Sequence, residues 1–187
     1  MQGLKLIKSM NLLENKKTIF WLNIVSIPLF FLFLAIFGFL NAIINPAESN
    51  VNWGSFELPT LFLIILAFLL HEGIHGIFFK LFYPEGKVKF GYKNWCLYTT
   101  SPRSYYRKKA FFCISMAPFL LISLGFIVLF ALSILSKPIL VFLASLHAAG
   151  CIGDFYISFL VMKEPNDVWI EDTEVGMSFY RKSLADD

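Results

Sequence analysis

The chain has 187 residues, of which 57% are hydrophobic, 22 are Phe and 16% are charged, against average soluble usage of roughly 45–50% apolar and 25% charged. That balance excludes an ordinary soluble fold. The net charge of +3 comes with no nucleic-acid-binding motif and suits anionic lipid headgroups better, so membrane lipid is the expected partner and nucleic acid is not.

In chain order, the N-terminal segment mixes Lys5 and Lys8 with Leu4, Ile7 and Leu12, a weak amphipathic pattern that predicts a helix lying in a membrane interface. Four nearly uncharged runs follow, at residues 19–44, 60–83, 110–135 and 138–162. Each is long enough to cross a hydrocarbon core of roughly 30 Å. The first is too long for a signal-peptide core and no small-x-small cleavage site follows it, so it reads as a retained span. The insert at 84–109 is punctuated by Pro84 and Gly86, and its stretches 88–92 and 95–99 have the β-branched and aromatic character of two short strands around Lys93 and Asn94. In the tail from Lys163, the acidic run Glu171-Asp172-Thr173-Glu174 reads as a solvated turn. The expected fold class is thus all-α and integral to the membrane: four transmembrane helices with a short cytosolic β-hairpin-like insert, forming a single unit over residues 1–187.

Cation placement sets the orientation. Lys5, Lys8, Lys16 and Lys17 precede the first run, and Lys87, Lys89, Lys93, Arg103, Arg107, Lys108 and Lys109 fill the second connection, whereas the loop at 45–59 holds Glu48 and Glu57 and no cation. The positive-inside rule therefore predicts a multi-pass cell-membrane protein with both termini and the insert in the cytosol. Cys96, Cys113 and Cys151 form no CxxC pair and read as free thiols, although Cys151 lies one turn from both His147 and Asp154.

The second run contains Leu70-His71-Glu72-Gly73-Ile74-His75. On a helix, residues four apart share a face, so His71 and His75 are placed to close on one metal ion, with Glu72 directed at the water that the ion activates. Ionisable groups at membrane depth are costly unless they face a cavity and have partners, which makes this cluster a functional-site candidate. A catalytic zinc takes three protein ligands and keeps one position open. Asp154 and His147, both in the fourth run, are the candidates for the third. At about 1.5 Å per residue, His75 lies roughly 22 Å down its run and Asp154 roughly 24 Å down its own, with His147 at roughly 14 Å. Depth favours Asp154, with His147 as the alternative or as a hydrogen-bonded partner of a ligand. Gly73, Gly76, Gly150 and Gly153 predict close helix approach, and Pro118 predicts a kink in the third run.

His71-Glu72-Gly73-Ile74-His75 in a second span, a Pro-containing third span, Gly153-Asp154 in a fourth, and Asp172-Thr173-Glu174-Val175-Gly176 in the tail together resemble the putative zincin peptidase family of small bacterial membrane proteins, over nearly the whole chain. More remotely, the pattern is similar to the site-2 class of intramembrane metalloproteases, which usually carries Asn and Pro before an Asp-Gly where this chain has Gly153-Asp154. The resemblance implies zinc-dependent hydrolysis of a membrane-anchored peptide or protein, with Glu72 as the catalytic base. A membrane metal transporter or sensor would use the same His and Asp cluster without hydrolysis, and a membrane scaffold would need no metal.

Overall fold

The computed structural model describes residues 3–12, 14–44, 58–93, 96–132, 136–174 and 176–182. The loop at 45–59, on which the outward reading of the first connection rests, lies almost wholly outside the described residues. Three long helices match the first three apolar runs: α1 (Lys16–Ile44), α2 (Leu58–Phe82) and α3 (Lys108–Ala131). Asn15 begins α1 by accepting the Thr18 amide on its side-chain oxygen at 3.2 Å, which satisfies one of the amides that a helix start leaves unpaired. Each helix has the length and hydropathy to cross a membrane. Of the side chains of α1, Phe37 is buried, while Phe20, Trp21, Phe31 and Phe39 are more than half exposed. A helix that is apolar on every side and buries so little against protein calls for an apolar solvent around it.

The fourth run is not one helix. It divides into α4 (Lys137–Gly150) and α5 (Ile152–Lys163), bent by 41° at Cys151. At about 1.5 Å per residue neither piece alone covers roughly 30 Å, and the pair does. The kink expected from Pro118 concerns α3, where the residue sits inside an unbroken helix.

Among the described residues, six strands correct the all-α expectation. β1 (Leu4–Asn11), β4 (Tyr105–Arg107), β5 (Trp169–Thr173) and β6 (Gly176–Lys182) form an antiparallel sheet in the order β1-β6-β5-β4. The N-terminal segment is therefore a strand and not an interfacial helix. Its register shifts between Leu6 and Lys8, and this bulge breaks the period-two alternation that would have announced a strand. Gly176 is required for the pairing, since a Cβ there would collide with the Met10 carbonyl and the Leu12 amide. The acidic tail run is likewise not a solvated turn: Glu171, Asp172 and Thr173 are paired to β6, and Asp172 is half-buried.

The insert forms the expected hairpin, one residue later than the sequence suggested. β2 (Lys89–Lys93) pairs with β3 (Cys96–Thr100), and residues 94 and 95 between them lie outside the described residues. Gly76 and Gly91 admit the rings of Phe90 and Tyr98, each of which a Cβ would overlap, and Gly150 admits the ring of Phe68. Gly73 and Gly153 have open space beside them, so close approach is not their role.

The chain divides into two compact units. One comprises residues 1–21, 72–117 and 154–187, the other residues 22–71 and 118–153. The first has its core in Phe79, Tyr106, Phe111, Ile114, Val161, Ile170, Met177 and Phe179. The second is centred on Phe37, Phe130, Leu140, Leu143, Ala144 and Ala148. The divide falls inside α2, between His71 and Glu72.

Candidate metal centre

In the sheet-bearing unit, His75 comes from α2 and Asp154 from the first turn of α5. His75 Nε2 stands 3.3 Å from Asp154 Oδ1, and its Nδ1 stands 3.0 Å from the Ile114 carbonyl. A carbonyl only accepts, so Nδ1 carries the proton. In the neutral ring Nε2 is then an acceptor facing a carboxylate oxygen, also an acceptor. Two acceptors at this distance need a cation between them, either a proton or a metal ion. A charge-assisted N–H···O bond closes to about 2.7–2.9 Å, whereas two ligands at about 2.0–2.1 Å from a tetrahedral zinc stand about 3.3 Å apart. The spacing of 3.3 Å accommodates either cation, and the nitrogen and carboxylate donors are of the kinds that zinc takes. The Ile114 carbonyl fixes the ring in the tautomer that ligation requires.

Glu72 is half-buried on α2, and the Thr99 hydroxyl of β3 lies 2.7 Å from its Oε2 and 3.0 Å from its backbone carbonyl. A hydroxyl has one proton, and the shorter contact to the carboxylate is the stronger claim on it. Thr99 therefore holds the Glu72 carboxylate in one orientation. Nothing in the sequence marked Thr99, since its role depends on where the hairpin lies against α2.

Asp172, read from the sequence as part of a turn, feels the charges of His75 and Glu72. The Thr100 hydroxyl lies 3.4 Å from its backbone carbonyl. Burial pushes its carboxyl up to about 7, against the hydrogen bond from Thr100 and the charge of His75, which pull it down, and together with the charge of Glu72, which raises it.

In the other unit, α4 brings His147 beside His71. Nδ1 of His71 stands 3.2 Å from Nε2 of His147. Cys151 Sγ lies 3.8 Å from each of these nitrogens. All three side chains are buried, and the Phe126 ring packs against His147. Of the predicted site residues, then, His75 meets Asp154, Glu72 meets Thr99, and His71 meets His147 and Cys151. His71 and His75 lie one turn apart on the uninterrupted α2. Among the described residues, neither Cys113 nor Cys151 is in a disulfide.

Residues 64–169 match the sequence family described as putative zincin peptidase. No curated protein and no solved structure matches the chain.

Proposed function

The chain belongs to the putative zincin peptidase family, and from that premise we propose that it is an intramembrane zinc metallopeptidase acting on membrane-anchored peptides or proteins, with zinc held by His71, His75 and Asp154 and with Glu72 as general base. The observation that carries this reading is the pair His75 Nε2 and Asp154 Oδ1 at 3.3 Å, two acceptors at ligand spacing with the other ring nitrogen committed to a carbonyl. His71 completes the set by its one-turn spacing from His75 on α2. The outward apolar surfaces of α1, α2 and α3 support residence in the bilayer, and the cation distribution supports cytosolic termini and a cytosolic insert.

When bound, zinc lowers the pKa of water toward 7 and polarises the scissile carbonyl. Glu72 takes the proton of the attacking water and delivers it to the leaving amine, and Thr99 keeps the carboxylate aimed throughout. The substrate must present an extended segment, because a helical peptide bond in lipid is shielded by its own hydrogen bonding. The β2–β3 hairpin supplies a strand edge for such a segment, and its Phe90, Tyr92 and Leu97 side chains are exposed.

The test uses the full chain purified in detergent. Glu72→Gln should retain zinc and lose hydrolysis, because an amide cannot accept the water's proton, while His75→Ala and Asp154→Asn should each bind less zinc than the unsubstituted chain. Unaltered zinc binding in Asp154→Asn overturns the ligand set. Full hydrolysis by Glu72→Gln overturns the mechanism.

A further inference from the structure

The buried donors His71, His147 and Cys151 form a cluster that the reaction above uses only through His71. Their separations identify what they fit. Around a tetrahedral zinc with nitrogen at about 2.0–2.1 Å and thiolate sulfur at about 2.3 Å, two nitrogens stand about 3.3 Å apart and nitrogen and sulfur about 3.6 Å. Here the nitrogens of His71 and His147 are 3.2 Å apart, and Cys151 Sγ stands 3.8 Å from both.

The Cys151 thiol donates to the His147 backbone carbonyl at 3.2 Å, while its sulfur stands equidistant from the two rings. The separation of the two ring nitrogens is at the long limit for an N–H donor. His147 and Cys151 are four apart at the end of α4, the spacing that puts two ligands on one face, as His71 and His75 are on α2. Exposure of the three residues is 8%, 2% and 1%.

We propose that His71 Nδ1, His147 Nε2 and Cys151 Sγ form a second, thiolate-containing metal site, suited to zinc and to softer divalent ions such as cadmium. On binding, the Cys151 thiol loses its proton to solvent and each imidazole donates through a deprotonated nitrogen. The proposal shares His71 with the hydrolytic ligand set and is otherwise independent of it. The break between α4 and α5 at Cys151 also acquires a reason: the residue that leaves the helix is the one that supplies the sulfur.

The experiment is cobalt titration of the metal-free full chain in detergent, in a background with Cys96→Ser and Cys113→Ser. Thiolate ligation gives cobalt(II) an intense near-ultraviolet charge-transfer band, which nitrogen and carboxylate ligands do not. The band should appear, should be lost in Cys151→Ala and in His147→Ala, and should persist in Asp154→Asn. X-ray absorption of the zinc-loaded background chain, which needs no change at the site, should show a sulfur neighbour at about 2.3 Å. Absence of both the band and the sulfur neighbour overturns the thiolate site. If cobalt still binds in that case, and Asp154→Asn abolishes its binding, the hydrolytic set stands alone. Loss of the band in Asp154→Asn as well as in Cys151→Ala overturns a separate second site.

Discussion

Thr99→Val removes one hydroxyl and keeps the shape of the side chain, so it isolates the contact between β3 and the Glu72 carboxylate. At 2.7 Å this is a short bond to a charged acceptor, a class that contributes about 1.5–3 kcal/mol. One decade in rate corresponds to about 1.4 kcal/mol, so complete loss would lower turnover roughly 10- to 100-fold. Glu72 is only half-buried, and water can replace part of what the hydroxyl gave, which places the expectation near the lower end, about tenfold. The loss should fall on kcat, with KM and zinc content unchanged, because Thr99 positions the base and is not a ligand. Thr99→Ser, which keeps the hydroxyl, should recover most of the rate. The assay is cleavage of a membrane-anchored reporter peptide in proteoliposomes, with Glu72→Gln as the inactive control and zinc measured in each preparation. Wild-type kcat in the valine variant, loss of zinc with it, or equal loss in the serine variant refutes the positioning role.

Leu97→Pro removes one backbone donor from β3 without touching the proposed ligands; cleavage of the anchored substrate should fall sharply with zinc retained, and undiminished cleavage would show that the hairpin does not hold the substrate. In a chain lacking its native thiols, a cysteine at Ser49 should label from outside and one at the exposed Lys87 from the cytosol, with Lys87→Cys reactive from outside inverting the topology. Asp172 gives a pH signature. Its carboxyl stands at about 7 in the folded chain against 3.8 for the ordinary group, so the folded state binds the extra proton between those values, and the cost of ionising it is absent below them and complete above them. Asp172→Asn should therefore raise the thermal midpoint of the metal-free chain at about pH 8 and leave it unchanged at about pH 3.5, and an equal effect at both would mean that the burial of charge is not what the substitution relieves.

What the sequence determined by itself was whatever depends on a run of neighbours. The four apolar stretches, the one-turn spacing of His71 and His75, and the strand character of the insert are local periodicities, and the first three helices and the hairpin follow them to within a few residues. The depth count even paired His75 with Asp154, because a helix rises by a fixed amount per residue and levels can be compared across spans. The break at Cys151 was not legible, since the residues from Lys137 to Lys163 remain apolar across it and only packing separates α4 from α5. Nor was the four-stranded sheet. β1 hides its period behind a bulge, and β5 carries the charges of a surface turn; both are strands because β6 lies between them and satisfies their backbone groups. Thr99, Asp172 and the grouping of Cys151 with His71 and His147 belong to the same class. Each gets its role from a side chain on another element, between 27 and 100 positions away, and such proximity is created only when the elements close on one another.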